Sequence, residues 1–340
     1  MKKFALIGCG FFAQNHLHAW RELGQTELVA ICDIDPEKVA RGVAEFGGRG
    51  YTDPEAMFEN EDLDFVDIAT TAPTHRYFVE MAAANGVAAI CQKPLAWEMS
   101  DAKAMVAAMS DAGLPFMVHE NFRFQHPMRV IKALLDEGAI GTPFFGRISF
   151  RTAHDVYGAQ PWLVENERMI IVDVAVHLFD LARCFMGEPI TLFTDAIRVN
   201  PRIVGEDVAT VLMHMENGGS CIVDASYETK SDHNTYPQTF VVLEGTEGSI
   251  TLGPDYHLQV VSRGTVSEED LVIPQHDWAS APWNCIQDSV VNVQQHWLDC
   301  LANGTSPETS GPDTLRLLDI TLGAYESADT GTRFNVGSLL

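Results

Sequence analysis

Phe4-Ala5-Leu6-Ile7-Gly8-Cys9-Gly10-Phe11-Phe12-Ala13 decides how the rest of the chain is read. Four apolar residues end on a glycine, and the next stretch has helical spacing, with Ala13, Leu17 and Trp20 on one face. Each residue of the turn suits a dinucleotide. Gly8 permits the tight exit from a strand, Gly10 lets backbone approach a pyrophosphate, and small Ala13 lets the helix pack against the sheet. Phe11 and Phe12 open the helix, whose first turn offers N–H groups and a positive dipole end to the phosphates. A second strand ends at Asp33, about 20 residues beyond the glycines, where a carboxylate accepts the ribose hydroxyls of NAD. That carboxylate, with Asp35 beside it, repels a 2′-phosphate, so NAD is expected over NADP.

The alternation continues. Helices are expected over 36–46, 53–58, 75–85 and 100–111, the last capped by Ser100, with strands over 64–69, 87–91 and 115–119. This spacing implies right-handed crossovers and a doubly wound, mainly parallel Rossmann sheet. Ligands of such a sheet lie beyond the carboxyl ends of its strands. Those ends supply Thr70, Thr71, Pro73, His75, Gln92, Lys93 and Asn121 as cofactor contacts beside Gly8, Gly10, Phe11, Phe12 and Asp33.

Beyond residue 122 the pattern changes. A helix over 127–137, a strand over 144–153 and a helix over 173–186 precede strands over 207–215 and 220–227, joined through Asn217-Gly218. Further strands over 239–244 and 249–252 meet at Gly245-Thr246-Glu247-Gly248, and helices over 290–302 and 313–328 follow. Residues 264–285 carry no readable period. The expected α/β chain therefore has a Rossmann domain over 1–122. An α+β domain with a large, mainly antiparallel open sheet covers 123–340.

Composition narrows the partners. Lys and Arg total 22 against 47 Asp and Glu, a formal charge of -25 that repels nucleic acid and anionic membranes. Seven scattered cysteines without a Cys-x-x-Cys pair favour reduced thiols in a cytoplasmic protein over a disulfide framework or structural zinc. No segment reaches the ~18 apolar residues of a membrane span.

Two places carry chemistry. Lys93 leaves a buried strand at the ligand edge, where it can hold a substrate hydroxyl beside the nicotinamide with a pKa open to depression by burial. Pro94 restricts its turn and allows a cis bond. Asp173, His177 and Asp180, at i, i+4 and i+7, share one helical face. A carboxylate one turn from an imidazole orients it and raises its basicity, as a general base needs. The bland alternative makes Asp173 a helix-start carboxylate and His177 a core histidine. No further Cys or His stands at ligand spacing, so no metal is expected.

Six stretches occur in an order that resembles one family: Gly8-Cys9-Gly10-Phe11-Phe12-Ala13, Pro73-Thr74-His75, Gln92-Lys93-Pro94-Leu95-Ala96, Asn121-Phe122-Arg123, Gly138-Ala139-Ile140-Gly141 and Asp173-Val174-Ala175-Val176-His177-Leu178-Phe179-Asp180. The family is that of glucose-fructose oxidoreductase, inositol dehydrogenase and rhizopine catabolism (Gfo/Idh/MocA), and the resemblance runs to about residue 330. It implies an NAD-dependent dehydrogenase acting on a secondary alcohol of a sugar, polyol or sugar acid, and a homodimer or homotetramer joined through the open sheet. By the same resemblance Lys93 binds the reacting hydroxyl and the nicotinamide ribose. His177 takes the proton, and Asp173 positions substrate and tunes His177.

Departures from the family carry information. Gln92 replaces a glutamate, Ala175 a glycine, and Asn166-Glu167-Arg168-Met169-Ile170-Ile171 a glycine-rich approach, which puts Arg168 near the substrate side. With Arg123 and Arg151 it suits a carboxylate-bearing sugar acid. His154, Tyr157, Trp162 and His233 are candidates to line the sugar pocket. Two rival functions remain: a redox-neutral isomerase or lyase using tightly bound NAD transiently, and a catalytically inactive nucleotide-sensing protein.

Overall fold

Strand β1 (Lys2–Ile7) runs up the middle of a sheet, and its last four residues are buried because helices cover both faces. The computed structural model describes residues 1–230 and 238–340, so His233 lies outside the described residues. After β1 come α1 (Ala13–Leu23), β2 (Thr26–Cys32), α2 (Pro36–Phe46), β3 (Arg49–Tyr51), α3 (Pro54–Asn60) and β4 (Phe65–Ile68). Then follow α4 (Ala72–Ala84), β5 (Ala88–Gln92), α5 (Met99–Asp111) and β6 (Phe116–His119). The six strands pair in parallel in the order β3-β2-β1-β4-β5-β6, the doubly wound arrangement that the alternation implies. Pro36 and Pro54 occupy first turns capped by Asp35 and Asp53, whereas α5 begins at Met99 and Ser100 is no cap.

The chain forms two units. One is Met1–Asn121 with Val290–Leu318; the other is Phe122–Ser289 with Asp319–Leu340. A single cut after residue 122 assigns Val290–Leu318 to the later domain, but its side chains complete the first core. Trp297 is fully buried there and meets Phe65 edge-on at 6.0 Å, next to the mutual packing of Phe4, Trp20 and Phe65 at 5.2–5.3 Å. Val118 N–H donates to the Thr309 carbonyl at 2.8 Å. Such a return of the chain leaves no local sequence signal.

The second unit begins with α6 (His126–Asp136), β7 (Pro143–Arg151) and α7 (Val156–Ala159). It continues through α8 (Val176–Met186), β8 (Pro189–Ile197), β9 (Val208–Met215) and β10 (Ser220–Ser226). Next are β11 (Phe240–Gly245), β12 (Gly248–Leu252), β13 (His257–Ser262) and β14 (Thr265–Asp270). Helices α9 (Asn284–Asn303) and α10 (Gly311–Thr330) and the short β15 (Phe334–Asn335) end the chain. Nine strands pair in the order β14-β13-β12-β11-β7-β10-β9-β8-β15, antiparallel except for β7 with β10. Both expected hairpins form, with Asn217 Oδ1 accepting from Gly219 N at 2.8 Å in the first. Strand β14 fell in the stretch without a period because all six of its residues are exposed and no apolar face marks it. One face of the sheet is buried, while Phe193, Ile197 and Leu212 stand out on the other at 42%, 51% and 48% exposure.

One buried charge ties α1 to β4. Asp67, fully buried, receives His16 Nδ1 at 2.8 Å and Trp20 Nε1 at 2.7 Å, both from α1. Asp67→Ala removes the acceptor for both and is expected to lower stability by about 3–5 kcal/mol, as loss of one partner of a buried pair does. Denaturant unfolding of the purified variant measures it, and a loss below about 1 kcal/mol would contradict this role.

Candidate functional site

The exit of β1 is built for an anion. Gly8 has φ +95°, and a Cβ there would lie 2.8 Å from the Ala69 carbonyl oxygen and the Thr70 side chain, so only glycine fits. At Gly10 a Cβ would meet nothing within 4 Å, which leaves bare backbone open to a phosphate. Helix α1 has neither a side-chain cap at Phe12 nor an acidic residue in its first turn, so no carboxylate of its own competes with an anion for the positive end of its dipole. Asp33 lies where the ribose is expected, half-buried, with its carboxylate oriented by Cys9 N at 2.6 Å and Asp35 N at 2.9 Å. These residues fit a dinucleotide with free 2′- and 3′-hydroxyls.

Neighbouring strand ends complete this edge. Phe11 is half exposed, while Phe12 lies edge-on to His16 and His119. Thr70 and Thr74 hydroxyls meet at 2.8 Å, and Thr71 and Pro73 begin α4. Asn121 is nearly buried. Lys93 follows β5 in a cis Lys93-Pro94 turn and is half-buried. Gln92 folds back so that its Oε1 accepts from Lys93 N at 2.8 Å. His75 has no exposed surface: its ring lies between the Leu95 carbonyl, 3.1 Å from Nδ1, and the Thr70 carbonyl, 3.2 Å from Nε2. It thus braces two ligand-edge loops against each other, a placement at odds with direct cofactor contact by its side chain.

In the second unit the helix expected from Asp173 starts differently. A π-helical turn (Ile171–Ala175) precedes α8, a widening often found at functional sites. No side chain of its own caps it. Instead Glu206 Oε1 accepts from Met169 N at 3.0 Å, Ile171 N at 3.1 Å and the Tyr325 hydroxyl at 2.8 Å, and that hydroxyl accepts from Val172 N at 3.3 Å. Burial, then the Glu206 charge, pushes the Tyr325 phenol far up and keeps it protonated to donate.

The three residues predicted on one face take different partners. Asp173 Oδ2 accepts from the Tyr227 hydroxyl at 2.6 Å. His177, 3% exposed, lies flat on Phe122, with ring centroids 3.9 Å apart and planes 2° from parallel. Asp180 is fully buried and paired with Arg123, whose Nε donates at 2.7 Å and whose Nη2 makes a second bond. Asp180 and Arg123 are therefore a structural pair, which removes Arg123 from the surface offered to substrate. Arg151 is held by Asp224 at 3.0 Å, and exposed Arg168 lies 5.0 Å over the Tyr325 ring. Half-buried His154 meets Trp283 edge-on at 6.5 Å, and Trp162 is 52% exposed. Tyr157 packs 6.4 Å from Tyr227 with its hydroxyl pushed up to about 12 by burial, then by the charges of Asp207 and Glu228.

Sequence reasoning missed Phe122, Glu206, Tyr227 and Tyr325. Phe122 stood in a quoted motif and Tyr227 at an expected strand end, so both had a positional signal. Glu206 and Tyr325 had none.

Two buried histidines set a pH dependence. Burial lowers the basicity of His75 against the opposing pull of the carbonyls beside it, and burial followed by the neighbouring His16 lowers that of His119 well below the usual histidine range. The unfolded chain then binds more protons below about pH 6.5, and stability falls as pH falls through that region. Tm is expected to drop from pH 7.5 to 5.5, as the unfolding free energy falls by at most about 1.4 kcal/mol per pH unit for each histidine. In His75→Asn the slope should flatten; an unchanged slope would remove His75 from the account.

Comparison with known proteins places this geometry. A family profile described as "Oxidoreductase family, NAD-binding Rossmann fold" matches residues 2–120, and the GFO/IDH/MocA C-terminal domain matches residues 128–251. D-apiose dehydrogenase of Paraburkholderia graminis is 49% identical over 338 residues, 99% of this chain and 90% of that protein. D-apiose dehydrogenase of Rhizobium rhizogenes is 48% identical over 339 residues, 99% of this chain and 98% of that protein. A crystal structure of an oxidoreductase from Agrobacterium radiobacter, in complex with NAD+, L-tartaric acid and magnesium, superposes with a TM-score of 0.98. It is 48% identical and covers 100% of this chain and 99% of its own. With both domains matched and near half identity over its whole length, the chain belongs to the GFO/IDH/MocA family of oxidoreductases.

Proposed function

We propose that the chain oxidises a hydroxyl-bearing carbon of a small sugar with NAD, and that D-apiose is the substrate to test first. The observation that carries this reading is the shared carboxyl edge of one parallel sheet: the glycine turn after β1 and Lys93 after β5 stand two strands apart. NAD, when bound, supplies the hydride acceptor. Gly8, Gly10 and the start of α1 hold the pyrophosphate, and Asp33 accepts the ribose hydroxyls. The Lys93 ammonium donates to the reacting oxygen, and His177 takes its proton. The flat stack on Phe122 fixes the imidazole plane, so the accepting nitrogen has one direction. Pairing of Arg123 with Asp180 and of Arg151 with Asp224 favours a neutral sugar over a sugar acid.

NADH formation and substrate loss are followed together with D-apiose, other aldoses, polyols, aldonates and uronates. Equal amounts establish the dehydrogenase. Substrate loss without NADH would instead support the isomerase or lyase, and NAD binding with no turnover the sensor. Lys93→Ala is expected to lower kcat by about 10² or more while NAD binding stays largely intact, and near-normal turnover would sink the assignment.

We also infer a homo-oligomer in the cytoplasm. Phe193 faces Leu212 in register, and Leu212 faces Ile222, so the open sheet face carries a continuous apolar row that a second copy would cover. None of the seven cysteines forms a disulfide. The double variant Phe193→Asp/Leu212→Arg should elute as a monomer in size-exclusion chromatography with light scattering, and an unchanged mass would exclude this face as the interface.

A further inference from the structure

We infer that Tyr227 is a positioning residue for the chemistry, acting through Asp173. The inference rests on the site reading above. Asp173 is the third residue of a π-helical turn, a local widening of the helix, and its own N–H donates to the Met169 carbonyl at 2.9 Å, which fixes its backbone. A side-chain bond from outside that turn, the Tyr227 hydroxyl to Asp173 Oδ2, holds its carboxylate.

Tyr227 is suited to do so. It follows the last residue of β10, its backbone N–H donates to the Asp207 carbonyl at 3.0 Å, and it is 2% exposed. Phe150 and Tyr157 lie edge-on to its ring at 6.3 and 6.4 Å, which denies the ring any swing. From this sheet-anchored position the hydroxyl donates to Asp173 Oδ2 at 2.6 Å, the length of a strong bond to a carboxylate. The sheet thereby holds the plane of a carboxylate carried on an irregular turn, four residues before His177. The remote cap from Glu206 and Tyr325 holds the backbone of the same turn, so the hydroxyl of Tyr227 acts on the side chain alone.

Packing and positioning separate in Tyr227→Phe, which keeps the ring and removes only the hydroxyl. With NAD and the sugar that yields NADH in the panel above, Tyr227→Phe, Asp173→Asn and the double variant are compared for kcat, KM, NAD affinity and Tm. The expected result is a loss of about tenfold in kcat for Tyr227→Phe, with KM, NAD affinity and Tm close to wild type. The same substitution should cause no further loss in the Asp173→Asn background. Wild-type kcat in Tyr227→Phe beside an impaired Asp173→Asn would overturn the inference and leave the function standing, as would full additivity in the double variant. Full turnover by Asp173→Asn would instead overturn the reading of the site itself, and the inference with it.

Discussion

A carboxylate with no access to water sits in the middle of the parallel sheet. Asp67 lies on β4, and burying its charge costs several kcal/mol unless donors surround it. His16 and Trp20 provide them, and both come from α1. The bonds set the rotation of that helix about its axis and its distance from the sheet. Since its first turn is the candidate phosphate site, the direction of the anion-binding N–H groups depends on this contact. Phe12, at the head of the helix, rests on the stacked rings of His16 and His119, 4.1 Å apart, so the packing continues to the edge of the turn.

The second unit solves a similar problem with two adjacent residues. Phe122 stacks on His177, and Arg123 pairs with Asp180 three residues further along the same helix. One short segment thus grips two successive turns of α8 and suppresses its rotation. A buried ion pair adds little net stability over a well-packed apolar pair, because desolvation cancels most of the attraction. Its value here is the fixed geometry that a planar guanidinium imposes.

Several polar side chains that look like ligand contacts are turned to brace loops instead. His75 spans two carbonyls and Gln92 closes onto the Lys93 amide, so each shapes the edge from beneath. Backbone groups at strand ends need partners, N–H an acceptor as at Lys93 and C=O a donor as at Thr70 and Leu95, and a nearby side chain supplies them once water is excluded. The polar side chains at this strand-end edge therefore include some that only brace the loops, His75 and Gln92 among them.

The amino-acid sequence determined, by itself, the alternation that builds the Rossmann unit, the glycine turn, the placing of Asp33 and Lys93 just past strand ends, both hairpins and the family. These are local in character: a glycine conformation, a hydrophobic period, a turn dipeptide or an ordered set of motifs. Only the tertiary structure decided that Val290–Leu318 returns to the first unit, that β14 exists without an apolar face, and that Arg123 is spent on Asp180. It likewise decided that Glu206, Tyr227 and Tyr325 converge on the turn carrying Asp173. Those contacts join positions separated by 35 to 153 residues, and no period or motif records which distant side chain will satisfy a given buried donor or charge.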